Sequence, residues 1–157
     1  MINLNPRTSP FYSRSILAGL FLLILLGVFW VAPGLAGDLK PFTSDGCSSF
    51  PNGTPKQNDL WLSCCIAHDL AYWAGGTYEE RLEADKELKG CVTSVGKKEV
   101  AELMMGGVRV GGTPYLPTRF RWGYGWPYPR GYKVLTDDER LQLEKMLAED
   151  GQPDGGP

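Results

Sequence analysis

One histidine, His68, stands in 157 residues, no segment repeats, and basic residues do not exceed acidic ones (16 against 18). Each scarcity removes a class of explanation. With a single imidazole, any proton transfer that needs a group titrating near neutral pH falls to His68. A net charge of −2 lacks the basic face that nucleic acid requires. The absence of repeats leaves an ordinary domain. No charged residue occurs between Ser15 and Gly37, and no acid precedes Asp38. No cysteine lies near that boundary, which excludes a lipoprotein attachment site.

What is present at the start is a targeting layout. A polar stretch with Arg7 and Arg14 leads into the apolar run Ile16–Val31, and Ala32, Pro33, Gly34, Leu35 and Ala36 follow. This is the three-part order of a secretory signal peptide over residues 1–36, with cleavage after Ala36. The competing reading is an uncleaved membrane anchor, since the run approaches the roughly 20 residues needed to span a bilayer. Either way the remainder is exported: secreted or periplasmic, or membrane-anchored if the segment stays. Its loss removes two arginines and no acid, so the charge moves from −2 to −4.

The exported part is long enough for one domain with a modest core, over residues 37–150. All four cysteines (Cys47, Cys64, Cys65, Cys91) fall inside it. An even number in an oxidising compartment reads as two disulfides. A Cys64–Cys65 bridge is disfavoured because a helix holds neighbouring side chains apart. That leaves 47–64 with 65–91, or 47–65 with 64–91.

Residues 38–59 are rich in Ser, Pro, Gly, Asn and Asp and read as loop. The apolar spacing of Leu60, Trp61, Ile66, Ala67, Leu70, Ala71 and Trp73 predicts a helix over 60–74, with Asp59 as N-cap and Gly75-Gly76 as its stop. Thr77 and Glu80 form a capping-box pattern for a second helix, 78–92 or slightly longer. So short a link predicts an antiparallel pair. On the second helix Ala84, Leu88, Cys91, Val92 and Val95 make an apolar stripe. A third helical stretch spans 100–105 and should stop at Gly106-Gly107. Residues 111–132 are aromatic and punctuated by Gly and Pro. Thr136 and Glu139 predict another capping box, opening a helix to about Glu149 with Leu143, Met146 and Leu147 on one side. Residues 151–157 should be a disordered tail.

The chemistry concentrates in Cys64-Cys65-Ile66-Ala67-His68-Asp69-Leu70-Ala71-Tyr72. On a helix Cys64, His68 and Tyr72 share one face, and Cys65 and Asp69 share the next. Asp85 sits beside the second helix's apolar stripe, where a carboxylate is costly unless hydrogen-bonded. The antiparallel turn brings it back toward His68. Asp85 accepting from one ring nitrogen fixes the tautomer and leaves the other nitrogen as a general base, with Tyr72 holding Asp85. The bland alternative pairs Asp85 with Arg81, four residues earlier on the same helix.

Cys-Cys-x-x-His-Asp-x-x-Tyr followed by Ala-Asp-x-x-x-x-x-Cys resembles the active-site helix pair of secreted phospholipase A2. Asp45-Gly46-Cys47-Ser48 before the first helix places the resemblance nearer the bacterial and fungal branch. It covers about residues 45–92. It implies an all-α, disulfide-stapled domain built on an antiparallel helix pair and preceded by a calcium-binding loop. By the same resemblance His68, Asp85 and Tyr72 are the catalytic set, Asp69 binds Ca2+, and the pairing is Cys47–Cys65 with Cys64–Cys91. The carbonyls of Gly46 and Ser48 and the carboxylate of Asp45 complete the implied metal site. Calcium is a hard cation that takes six to eight oxygens, which this donor set suits. The implied activity is calcium-dependent hydrolysis of a phospholipid acyl ester at a membrane surface. Ala71 and Ala84 stand where animal members carry a further bridge between the helices, so both halves of that bridge are missing together.

The departures concern substrate contact. The animal enzymes' amphipathic first helix and the β-hairpin between the two helices are missing. Lipid contact would then fall to Tyr115, Phe120, Trp122, Tyr124, Trp126, Tyr128 and Tyr132, interleaved with Arg119, Arg121 and Arg130. The alternative is that these rings cover the helix pair as core. Two other functions compete: a non-enzymatic lipid- or protein-binding module on the same scaffold, and a zinc site from Cys47, Cys64, Cys65 and His68. Adjacent helical cysteines aim poorly at one metal, and export favours disulfides.

Overall fold

The computed structural model describes residues 37–150. The expected signal segment, 1–36, and the expected tail, 151–157, lie outside the described residues. Four α-helices follow in order: α1 (Leu62–Ala74), α2 (Tyr78–Ser94), α3 (Lys98–Gly111) and α4 (Asp137–Asp150). Among the described residues there is no strand, only an isolated bridge between Thr54 and Gln57. None of these helices is long and apolar enough to cross a membrane. All four cysteines are bonded, Cys47 to Cys65 and Cys64 to Cys91. The first bridge pins the loop before α1 to that helix, and the second ties α1 to α2.

Helix α1 starts two residues later than its apolar spacing suggests, and Asp59 is not its N-cap. The cap position is Trp61, with no side-chain capping bond. Trp61 is held from outside the helix: its amide donates to Asn52 O (3.0 Å) and its indole to Pro51 O (2.6 Å). The ring is buried. Burying so large a side chain outweighs the capping that Asp59 offers, typically about 1 kcal/mol. In α2 the box is formed as expected: the Thr77 hydroxyl accepts from Glu80 N, and Glu80 accepts from Thr77 N (2.7 Å).

The third helix does not stop at Gly106-Gly107. It runs from Lys98 through both glycines to Gly111. A helical glycine costs only about 1 kcal/mol relative to alanine. Here Ala101 and Met104 are buried against Trp61, Leu88 and Val92, and that packing carries the helix past the weak point. In α4 the second box is also formed, with Thr136 N donating to Glu139 (2.9 Å) and Glu139 N to the Thr136 hydroxyl (3.3 Å). Of its expected apolar side, Leu143 is buried, Met146 is partly buried and Leu147 is exposed. On α2 the stripe narrows similarly. Ala84, Leu88 and Val92 are buried, while Cys91 and Val95 face solvent.

The aromatic stretch after α3 is tied to the end of α1. A helix leaves its last carbonyls without partners inside itself. Here Gly123 N donates to Tyr72 O (2.6 Å), Gly125 N to Trp73 O (3.2 Å) and Trp126 Nε1 to Ala74 O (2.7 Å). Trp122 Nε1 donates to Gly76 O (2.9 Å) in the turn that follows. Trp122 and Trp126 are buried, so the core alternative holds for these two rings, whereas Tyr115 and Tyr128 are exposed. The C-terminal end of α1, which carries Tyr72, is thereby fixed from outside.

Candidate active site

Helix periodicity puts Cys64, His68 and Tyr72 on one buried side of α1, facing α2. His68 is 8% exposed and Asp85 is fully buried. His68 Nε2 lies 2.9 Å from Asp85 Oδ1, and the Tyr72 hydroxyl donates to the same oxygen at 2.7 Å. Burial pushes the Asp85 carboxyl upward, but hydrogen bonds from His68, Tyr72 and Arg109 outweigh it and hold the group below the usual carboxylate range. With Asp85 ionised, Nε2 must be the donor. The other ring nitrogen, Nδ1, has no hydrogen-bond partner among the described residues. Tyr72 stays protonated: burial, reinforced by the Asp85 charge, raises its phenol well above the ordinary value.

Two arginines complete this cluster. Arg109, near the end of α3, donates Nη1 to Asp85 Oδ2 at 2.7 Å. The sequence offered no signal for it, because Arg109 is 24 residues away on a helix expected to end at Gly106. Arg81 is buried and does not pair closely with Asp85, with Nε 3.9 Å from Oδ2. Instead Arg81 Nε donates to the Tyr72 hydroxyl (3.0 Å). Its Nη2 donates to the carbonyls of Val108 (2.7 Å) and Arg109 (3.0 Å), and its Nη1 to the Tyr132 hydroxyl. The alternative surface pair of Asp85 with Arg81 is therefore not formed, and Arg81 is a buried guanidinium that joins α2 to the last turn of α3.

Asp69 faces a different space. Its Oδ2 accepts from the Ser44 hydroxyl at 2.6 Å. Burial raises its pKa, and the Ser44 hydrogen bond and nearby His68 only partly oppose the rise. His68 and Asp69 both line a cleft of about 280 Å³, whose other walls are largely apolar, with Leu88, Leu103, Met104, Val108 and Phe120 among them. Gly46 and Ser48 stand on the same cleft. A neighbouring cavity of about 220 Å³ lies between Asp69 and the preceding loop, lined by Thr43, Ser44, Asp45, Ser48, Arg119 and Tyr124.

The loop over 45–48 is tightly wound, with Gly46 at φ +75° and Ser48 at φ +54°. The second value is uncommon for a residue with a side chain and marks stored backbone strain. Two features hold it: the Cys47–Cys65 bond, and Asn52, whose Oδ1 accepts from Cys47 N (2.9 Å). Asp45 accepts from the Ser48 hydroxyl (2.8 Å) and pairs with exposed Arg119 (3.0 Å). Among the described residues no group of three or more His, Cys, Asp and Glu side chains is arranged around a point. A metal here would therefore draw on carbonyl, hydroxyl and water oxygens besides Asp69 and Asp45. The cavity beside Asp69 offers oxygens from Asp69, Asp45, Ser44 and Ser48. The partly desolvated Asp69 carboxylate would gain from a cation, so the set fits a hard ion such as calcium provided that it displaces the Arg119 guanidinium from Asp45. It does not suit zinc through cysteine, because Cys47, Cys64 and Cys65 are all in disulfides.

His68, Tyr72 and Asp85 thus come together in one hydrogen-bonded cluster, and Asp69, Asp45, Gly46 and Ser48 gather around the adjoining cavities. Comparison with family models, with curated proteins and with solved structures finds no match for this chain.

Proposed function

We propose that this chain is an exported, calcium-dependent hydrolase of the phospholipase A2 type, in which water activated by His68 attacks a phospholipid acyl ester. The observation that carries this reading is the contrast between the two nitrogens of one imidazole. Nε2 is engaged by a buried, ionised Asp85, and the ring borders a largely apolar cleft that Asp69 shares. The order of contacts supports an antiparallel α1–α2 pair, since Cys64 meets Cys91, His68 meets Asp85 and Tyr72 meets Arg81.

In this reading Nδ1 takes a proton from water and Asp85 stabilises the imidazolium that forms. Tyr72, itself held by Arg81, keeps Asp85 oriented. Asp69, with Asp45 and the carbonyls of Gly46 and Ser48, would hold calcium. When bound, calcium supplies a Lewis acid that polarises the ester carbonyl and offsets negative charge developing on its oxygen. The apolar walls suit an acyl chain, and water needs no serine or cysteine nucleophile. Two disulfides in so small a domain agree with an oxidising, exported setting.

The test is fatty-acid release from phospholipid vesicles by the full chain with calcium present. Wild type should release fatty acid, and His68→Gln and Asp69→Asn should not, while both variants keep their disulfides and helical content. Activity retained in both variants would overturn the proposal. An inactive, calcium-indifferent wild type would leave the binding-module reading in its place.

A further inference from the structure

Four residues from three helices close a ring behind the imidazole. Asp85 Oδ2 accepts from the Arg109 side chain, and the Arg109 carbonyl accepts from Arg81 Nη2. Arg81 Nε donates to the Tyr72 hydroxyl, which in turn donates to Asp85 Oδ1. Each carboxylate oxygen thus has its own duty: Oδ1 serves Tyr72 and His68, and Oδ2 serves Arg109. We propose that Arg109 is a positioning residue for His68, acting through Asp85 to hold the ring in the orientation and tautomer in which Nε2 donates to Asp85.

A carboxylate in a buried site can turn about its Cβ–Cγ bond. Oδ1 carries two hydrogen bonds on one side of Asp85, and without Arg109 its partner oxygen has no hydrogen-bond donor among the described residues. The nearest remaining cation is Arg81 Nε, 3.9 Å from Oδ2, too far for a hydrogen bond as placed. Turning the carboxylate to reach it would draw Oδ1 away from His68. Arg109 prevents that turn with a short, charge-assisted bond at 2.7 Å. Its own head is fixed in two ways. Its backbone carbonyl is clamped by Arg81, and its guanidinium lies over the Tyr78 ring at 5.1 Å. Arg109 is also 22% exposed along its side chain, so a substitution there leaves the fully buried residues in place.

The inference rests on the hydrolase reading for its consequence but not for its measurement. His68 is the only histidine, so the ring N–H signal of the histidine-labelled full chain reports one residue without assignment. In wild type without substrate, the proton on Nε2 should give a slowly exchanging, downfield resonance, with the tautomer carrying it dominant in the ring nitrogen shifts. In Arg109→Gln that resonance should broaden or vanish and the other tautomer should appear, whereas Arg109→Lys, which keeps a cation within reach of Oδ2, should retain it. If hydrolysis is observed, Arg109→Gln should lower kcat by about ten- to a hundredfold with little change in KM, the pattern of a misplaced base.

A folded Arg109→Gln protein with the wild-type resonance would overturn the proposal, even if its melting temperature had dropped. A purely structural α3 anchor predicts that very outcome. Should the glutamine variant fail to fold, Arg109→Met, which keeps the aliphatic stem without the cation, decides: a lost resonance beside a retained one in Arg109→Lys supports positioning by charge, and a retained one in Arg109→Met overturns it. Because the resonance needs no substrate, an inactive wild type would refute the hydrolase reading and leave this result standing.

Discussion

Replacing Asp85 by Asn keeps the shape of the side chain and removes its charge, and the surroundings leave the amide no orientation that keeps both the Arg109 bond and the proton on His68 Nε2. If its oxygen faces Tyr72 and His68, its NH2 points at Arg109 Nη1 across a distance of 2.7 Å, donor against donor. If it is flipped, its oxygen keeps Arg109 and its NH2 faces the Tyr72 hydroxyl and His68 Nε2 at 2.7 and 2.9 Å, and Nε2 can accept it only after the ring proton moves to Nδ1. In either case the partly buried Arg109 and the buried Arg81 cations lose their anionic partner, where hydrogen bonds to charged groups are worth about 1.5–3 kcal/mol. Breaking a buried pair by removing one partner costs about 3–5 kcal/mol. Arg109 can turn partly to water, so the lower end applies and we expect about 3 kcal/mol. That is a large share of the 5–15 kcal/mol typical of a domain, and a fall in Tm of roughly 10 °C. Urea unfolding of the oxidised full chain at pH 7, followed by circular dichroism, measures it. A loss below about 1 kcal/mol would refute the view that Asp85 is ionised and paired as described.

Two further outcomes follow from other parts of the molecule. Glu139 is fully buried beneath Arg130 and Lys133; burial raises its pKa, but bonds from Arg130, Lys133 and Thr136 N lower it from 4.5 to about 2. Its folded pKa lies below the unfolded one, so its stabilisation is complete above about 4.5 and disappears as pH falls through about 2. Glu139→Gln should therefore be less stable at pH 7 and lose less stability than wild type between pH 5 and 2, read from urea midpoints; parallel curves would contradict this. At Gly112 an added Cβ would overlap the Tyr72 ring and lie 2.7 Å from its hydroxyl oxygen. Gly112→Ala should cost about 1–3 kcal/mol by overpacking and weaken the Tyr72–Asp85 bond, detectable as a lower urea midpoint. An unchanged midpoint would show that the contact relaxes freely.

The parts of this arrangement that were legible in the sequence are those written at helical spacing or as local capping pairs. Cys64, His68 and Tyr72 four apart, with Asp85 beyond a two-glycine turn, place themselves once two helices are drawn. The capping boxes at Thr77 and Thr136 need only four residues each. What stayed hidden depends on contacts between distant segments. Trp61 looked like the second residue of a helix, yet its bonds to Pro51 and Asn52 hold it outside. Gly106-Gly107 looked like a stop, and packing of Ala101 and Met104 carried α3 through it. That extension is what brings Arg109 to Asp85. Arg81 stood as an alternative surface partner for Asp85 because spacing cannot tell an exposed arginine from one buried against Tyr132. The aromatic stretch gave no periodicity to read, since its role is to meet the last carbonyls of α1 one by one.

The proposed hydrolysis depends on Asp69 and the 45–48 loop holding a metal beside His68. Isothermal calorimetry of the full chain with calcium, wild type against Asp69→Asn, tests it most directly. Wild type should show saturable binding of about one calcium per chain, in keeping with a single oxygen-lined site, and the variant none. Wild type that binds no calcium, or a variant that binds it equally well, would rule out a calcium site at Asp69.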